Sequence, residues 1–215
     1  MISLVVIIAI YGAGIFAPLV APYSYRTQDL DRPREGPSAA HWLGTDLLGR
    51  DLLSRAIYSA RTTVIITVAV IISGSLVFGV GLGLFAGYRG GKIDSLIMRV
   101  GDIFAGLPAI MMLILINAAL GDRVRMWARW MDDHTFTDFV GTGAASYLTV
   151  FAALALFEWV GMARIIRAQV LQLRERDFVT AARATGAAPL RIVGQHLLPN
   201  VSNLIILSVS VTLGG

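Results

Sequence analysis

The sequence contains no cysteine, few histidines and few charged residues. Without cysteine, disulfide bonds, zinc–thiolate sites and cysteine nucleophiles are excluded. His41, His134 and His196 are not at metal-ligand spacing from one another, so we predict no metal site and expect each at a solvated or interfacial position. Charged residues make up 15% of the chain and hydrophobic residues 56%, a larger apolar share than soluble domains have. The composition predicts a polytopic membrane protein.

Five apolar runs are candidate transmembrane helices: residues 2–20, 62–86, 103–120, 140–163 and 201–215. A helix needs about 20 apolar residues to cross a bilayer, and the last run reaches only about 22 Å. We therefore expect an all-α, polytopic transmembrane helix bundle with about five of six spans present, truncated at its C-terminus. We expect residues 1–61 to hold the first span and a polar segment, and residues 62–215 to form the transmembrane core.

The polar segment of residues 1–61 is expected to end in an amphipathic helix. Its apolar residues share one face, and Asp51 and Arg55 are spaced to pair on the other. Further along, Asp102 is spaced to pair with Arg99, and Pro108 is expected to kink the third span near its start. A tryptophan-rich loop at residues 121–139 follows, and it is predicted to form an interfacial helix.

Glycines recur every four residues in the second run, at Gly79, Gly83 and Gly87. This spacing places them on one helix face and predicts close packing against a neighbouring helix. The stretch from Gly81 to Ala86 also imitates a dinucleotide-binding fingerprint. No strand precedes it and no acidic residue follows at the expected distance, so we predict no cofactor site.

Residues 164–200 form a basic, mostly helical segment between two apolar runs. Asp177 is the predicted N-cap of a two-turn helix, and Gly186 is expected to end that helix in a left-handed conformation. Pro189 suits the first turn of a second helix, which Pro199 is expected to stop.

A helix of two turns is unstable alone in water, so it must pack against something. Alanines such as Ala181 and Ala182 give it a low-profile surface, with Arg183 at the rim. This pattern indicates a docking element, and we predict no catalytic residue.

A spaced pattern in this segment is similar to the EAA loop of bacterial ABC-importer permeases. Its members are Thr180, Ala181, Ala182, Gly186, His196, Leu198 and Pro199. Two positions depart from the family pattern, because Thr180 replaces a glutamate and His196 replaces an isoleucine. Residues 41–46, which read His-Trp-Leu-Gly-Thr-Asp, also resemble permeases of the dipeptide, oligopeptide and nickel group.

The resemblance implies a permease subunit of an ATP-driven importer for peptides, nickel or similar small solutes. It implies that ATP is hydrolysed on a partner and that the EAA-like segment is the cytoplasmic coupling loop. The polar segment within residues 1–61 is then extracytoplasmic. The implied partners are a second permease chain, two ATPase subunits, an extracytoplasmic solute-binding protein and the lipid bilayer, with no nucleic acid. The implied location is the bacterial inner membrane. Orientation rests on the resemblance alone, because Lys and Arg are split evenly between the two sides.

Two other functions remain as alternatives. A proton-coupled secondary carrier requires buried carboxylates, and Glu158 is the candidate within the predicted spans. An intramembrane hydrolase requires a catalytic pair or metal cluster within the spans, and no histidine lies in them. The sequence therefore favours the importer permease.

Overall fold

The computed structural model describes residues 2–136, 138–141 and 144–214, and within these ranges the fold is helical. The described residues contain no strand, and their β pairing is limited to an isolated bridge between Thr45 and Asp51. The chain forms two compact units, residues 1–68 and 69–215, which are described separately.

The first unit begins with two short apolar helices and includes most of a longer one. These are α1 (Ile2–Ile15), α2 (Ala17–Val20) and α3 (Leu52–Val70). A Cβ atom at Gly14 would lie 2.9 Å from the carbonyl carbon of Ala60, so α1 and α3 touch backbone to backbone. A larger residue at Gly14 would force these helices apart.

Asp46 organises the polar segment that precedes α3. Its Oδ1 accepts the backbone N–H groups of Leu48, at 2.8 Å, and Arg50, at 3.0 Å. Its Oδ2 binds the side chains of Arg50, at 2.8 Å, and Arg55. Desolvation by burial acts to raise the pKa of Asp46, but these hydrogen bonds outweigh it and lower the pKa to about 2.

Asp51 pairs with His41 and not with Arg55, so the predicted Asp51–Arg55 pair is wrong. His41 Nδ1 lies 3.0 Å from Asp51 Oδ1, and Asp51 Oδ2 accepts the Ser54 N–H at 2.7 Å. His41 is only 8% exposed, so the expected solvated position is also wrong for this histidine. Gly49 explains the error, because its positive φ of 68° lets the chain reverse and bring sequence-distant groups together.

The second unit is an assembly of helices connected by short breaks. In chain order they are a π-helical stretch (Ile71–Val80), α4 (Gly81–Arg89), α5 (Gly91–Gly106), α6 (Ala109–His134), α7 (Ala144–Leu173), α8 (Asp177–Ala184), α9 (Pro189–Arg191), a second π-helical stretch (Ile192–Leu197) and α10 (Leu198–Gly214).

Among the described residues, three helices are long and apolar enough to cross a membrane: Leu52–Arg89, Ala144–Leu173 and Pro189–Leu213. A fourth crossing is counted if α5 and α6, which meet at 94°, act as one broken span. The all-helical, polytopic architecture predicted from the sequence is confirmed.

Helix α7 lies at the centre of the second unit, against the first π-helical stretch and α4. The contact is a seam of glycines. A Cβ atom added to Gly79 would lie 2.7 Å from Met162, and one added to Gly83 would lie 2.8 Å from Ile166. A Cβ atom added to Gly87 would lie 2.7 Å from the side chain of Val170. Small residues let helix backbones approach in this way. Further along the seam, a Cβ atom at Gly74 would lie 3.0 Å from the Ala155 oxygen and from Glu158 Cβ.

Helix α6 runs without a break through Ala109–His134, so the third span and the interfacial helix predicted as separate elements are one helix. The chain bends at Pro108, just before α6, because a proline ring blocks helical continuation. Asp102 pairs with Arg164 of α7 at 2.7 Å, and the pair predicted with Arg99 is wrong. Exposed His134 stacks on Trp130, with ring centroids 4.6 Å apart.

Pro199 does not stop the last helix, contrary to expectation, and the candidate span begins at Pro189 rather than near Val201. The π-helical stretch supplies the reason. The Leu198 N–H bonds to the Val193 carbonyl, five residues back, and this wider turn makes room for the Pro199 ring.

Candidate functional site

Helix α8 ends in a fully formed cap at Gly186. Gly186 has a positive φ of 80°, and its N–H donates to the Arg183 carbonyl at 3.0 Å. The Ala187 N–H donates to the Ala182 carbonyl, also at 3.0 Å. These two bonds form a Schellman motif, which satisfies two carbonyls that the helix end would otherwise leave unpaired. The left-handed glycine expected at this position is present.

The start of α8 differs from the prediction by one residue. Arg176 is the N-cap, in an extended conformation, and Asp177 is the first helical residue with no side-chain capping bond. The shift still suits a carboxylate, because a negative charge in the first helical turn is favoured by the helix dipole.

One face of α8 packs against the other helices of the second unit. Val179 is fully buried in a hydrophobic core with residues of α4, α7 and the last helix, and Ala182 packs against that core. Arg183 lies over the Tyr88 ring, with its guanidinium carbon 5.4 Å from the ring centroid. It is therefore engaged with α4. Buried members of the core include Leu84, Ile166, Val170, Ile192, Leu197 and Val201.

The opposite face of α8 is exposed, and apart from Asp177 its side chains are small. Asp177, Thr180, Ala181 and Ala184 all lie on it, at positions three or four residues apart. The Thr180 hydroxyl is turned back to the Arg176 carbonyl, at 3.3 Å, and does not project from the surface. We call these four exposed residues the outward face of α8. A partner's backbone can approach it closely.

Leu190 is a further exposed side chain of the same segment. It lies in α9, which starts with Pro189 in the first helical position as predicted, and its side chain is 87% exposed. A leucine this exposed is available to fill a pocket on another protein.

His196 and its neighbours support α8 from the side. The rings of His196 and Phe178 lie 6.4 Å apart, and Leu197 is completely buried in the shared core. Leu198 and Pro199 are exposed and continue into α10. The structure therefore brings His196 and its neighbour Leu197 to α8, whereas Leu198 and Pro199 belong to α10.

The turn between α4 and α5 is fastened to the end of α7, beside the glycine seam. Arg174 Nη1 donates to the Gly87 carbonyl at 3.1 Å. A Cβ atom at Gly90 would lie 2.6 Å from this nitrogen, and Gly90 has a positive φ of 65°. The seam glycine Gly87 thus lies at the edge of the candidate site, whereas Gly79 and Gly83 lie deeper along α7.

Sequence reasoning missed the anchoring residues of α8. Val179, Leu197 and Tyr88 hold the helix in place, but none belongs to the spaced pattern that identified the segment. The only available signal was the apolar side chain of Val179 between polar neighbours in a short helix.

Two protein families match this chain. Residues 79–215 match the family described as binding-protein-dependent transport system inner membrane component. The chain belongs to this transport family. Residues 1–37 also match the N-terminal transmembrane domain of oligopeptide transport permease C. This family member is a multi-pass protein of the bacterial inner membrane.

Its relatives include permeases of several peptide transport systems. It is 35% identical to the dipeptide transport system permease protein DppC of Bacillus subtilis and 33% identical to the oligopeptide transport system permease protein OppC of the same organism. It is 31% identical to the glutathione transport system permease protein GsiD of Pectobacterium atrosepticum. These alignments cover 97–99% of this chain, which spans 59–62% of the length of these relatives.

Proposed function

We propose that this chain is the permease subunit of an ATP-driven importer and that the outward face of α8 docks on an ATPase subunit. The main support is the exposed face of a short helix that is fixed in place by Val179 and capped by Gly186. ATP is hydrolysed on the partner, and this chain provides the path for the solute. Residues 164–200 face the cytoplasm in this proposal, and residues 21–51 face the opposite side.

The partners are a second permease chain, two ATPase subunits and an extracytoplasmic solute-binding protein. Membership in a binding-protein-dependent family supports the last of these. We propose short peptides as the solute class, because the relatives named above are peptide and glutathione permeases. Nickel complexes, which the sequence resemblance also allowed, have no support from these relatives.

Substitution of Ala181 tests the docking role. Ala181→Arg adds bulk and charge to the outward face without touching the buried side of α8. We expect the variant to reach the membrane normally while co-purification of ATPase subunits falls about tenfold, which corresponds to about 1.4 kcal/mol of binding free energy. Gly36→Arg is the control, since a Cβ atom at Gly36 meets nothing within 4 Å and this position lies outside the candidate spans and distant in sequence from α8. Equal co-purification from both variants would contradict the proposal.

Leu190 provides a second test with a smaller change. We expect Leu190→Ala to weaken ATPase association by about 1 kcal/mol or more if the side chain fills a pocket on the partner. Leu96→Ala in α5 removes a similarly exposed leucine, at 64% exposure, and is expected to have no effect on association.

Glu158 discriminates between the importer and the proton-coupled carrier. It lies in α7, and a Cβ atom at Gly74 would lie 3.0 Å from Glu158 Cβ. A carrier that uses this carboxylate loses transport in Glu158→Gln, whereas an ATP-driven permease retains ATP-dependent uptake. Uptake by inverted or intact vesicles, with ATP and with a proton gradient supplied separately, decides between the two.

A further inference from the structure

Helix α5 is attached to α7 by two ion pairs of different character. Asp94 binds the Arg167 guanidinium through both carboxylate oxygens, with 2.5 Å between Oδ2 and Nη2. Asp102 binds Arg164 at 2.7 Å through a single contact. The Asp94 side chain is 10% exposed and the Asp102 side chain 67%. The bidentate, shielded pair is the firm attachment, because exposed single-contact pairs contribute little.

The same part of α7 is connected to the docking site. Arg174, about two helical turns beyond Arg167, donates to the Gly87 carbonyl at the end of α4. Arg183 of α8 lies over Tyr88, the next residue of α4. The end of α7, helix α8 and the end of α4 are therefore linked by directional contacts. A displacement of α8 therefore also moves the end of α7 and the end of α4.

Helix α5 leads away from this region toward α6. The two helices meet at 94°, and together they form the broken candidate span. Between its ends α5 packs on α7 through apolar side chains and through Gly101, where a Cβ atom would lie 3.2 Å from Val160. Apolar packing of this kind is non-directional, whereas the Asp94–Arg167 pair fixes both the distance and the rotation of the helices at one point.

We propose that the Asp94–Arg167 pair is the transmission contact of the permease. Through it, movement of α8 on a docked ATPase subunit is carried by α7 to α5 and onward to α6. The inference rests on the docking function proposed above. Asp94 is a positioning residue that acts through Arg167. Loss of its charge leaves the Arg167 guanidinium without its ionic partner, so α5 no longer follows α7.

The first experiment compares two Asp→Asn variants on the same helix in the complete importer. We expect Asp94→Asn to retain ATPase association but to lose about tenfold in the ratio of solute-stimulated to basal hydrolysis. Asp102→Asn is expected to keep the wild-type ratio. The ratio does not depend on the amount of folded protein, so a purely structural role would leave it unchanged. The reversed pair, Asp94→Arg with Arg167→Asp, is expected to recover stimulation.

Normal stimulation in Asp94→Asn, or an equal loss in Asp102→Asn, would overturn the inference. A second measurement does not need the ATPase. Spin labels at Lys92→Cys in α5 and Thr185→Cys after α8 are specific, because the chain contains no cysteine. We expect a narrow distance distribution in the parent chain and in Asp102→Asn, and a broadened one in Asp94→Asn.

The two proposals fail in different ways. An unchanged distance distribution in Asp94→Asn overturns the transmission contact, whether or not an ATPase subunit binds. Absence of ATPase association with the unsubstituted chain overturns the docking function, and the spin labels still show whether the pair holds α5 against α7.

Discussion

Arg183 lies over the ring of Tyr88, with its guanidinium carbon 5.4 Å from the ring centroid. This cation–π contact joins α8 to the end of α4 and holds the exposed arginine on the α4 side of the helix. The sequence pattern had placed Arg183 at the rim of the docking surface. The contact fixes which side of α8 faces outward, because Arg183 and Val179 hold the opposite side.

The glycine seam predicts a large difference between two neighbouring glycines of α4. Gly83→Leu is expected to destabilise the permease by about 1–3 kcal/mol through overpacking, because a Cβ atom there would lie 2.8 Å from the Ala163 oxygen. Gly81→Leu is the matched control, since a Cβ atom at Gly81 meets nothing within 4 Å. Thermal stability in detergent measures the difference. Equal stability of the two variants would mean that α7 does not pack along this seam.

The cost of a substitution at Gly186 is expected to depend on how readily the new residue adopts a positive φ. A Cβ atom there meets nothing within 4 Å, so the cost of substitution comes from φ alone. We expect Gly186→Val to cost about 1–2 kcal/mol in local stability and to reduce ATPase association. Gly186→Asn should cost less, because asparagine adopts the left-handed region more readily. Hydrogen exchange across residues 177–187 measures the local loss, and identical exchange in the two variants would argue against the cap.

Asp46 predicts acid sensitivity in the segment before α3. Its pKa in the folded protein, about 2, is below the value of about 3.9 of an unfolded aspartate. Folding is therefore stabilised above about pH 4, and the stabilisation is lost as the pH falls toward 2. Hydrogen exchange of residues 42–51, corrected for intrinsic rates, is expected to rise over this range. Asp46→Asn should remove the pH dependence, and a persistent transition in that variant would assign it to another group.

Topology is testable with single cysteines, because the chain contains none. We expect Lys92→Cys and Thr185→Cys to be protected from an impermeant thiol reagent in intact cells, and Ser38→Cys to be labelled. Lys92 is preferable to the neighbouring Gly90, where a side chain would meet Arg174 at 2.6 Å and require a strained φ. Labelling of either cytoplasmic position from outside would contradict the proposed orientation.

The sequence alone predicts the all-helical class, the end of α8 and the start of α9. Gly186 and Pro189 act through their own backbone preferences, which a sequence displays directly. The prediction that Pro199 stops a helix is wrong for the same reason, because it rests on the local preference of proline alone. The π-helical turn before it overrides that preference and leaves no sequence pattern that we could have used.

Partners in ion pairs were the least predictable feature. Helical spacing suggested local pairs for Asp51 and Asp102, but each binds a residue from another part of the fold, namely His41 and Arg164. Spacing along one helix says nothing about which chain segments pack together. The orientation of α8 was hidden for a similar reason, because it depends on a core assembled from several helices.

The most direct test of the account is a photo-crosslinking comparison of two adjacent alanines in α8. Ala181 lies on the outward face, whereas Ala182 packs against the core. With a photoreactive residue at one position at a time in the assembled importer, we expect Ala181 to crosslink to an ATPase subunit and Ala182 to crosslink within the permease. Crosslinks to the ATPase from Ala182 alone, or from neither position, would contradict docking through the outward face of α8.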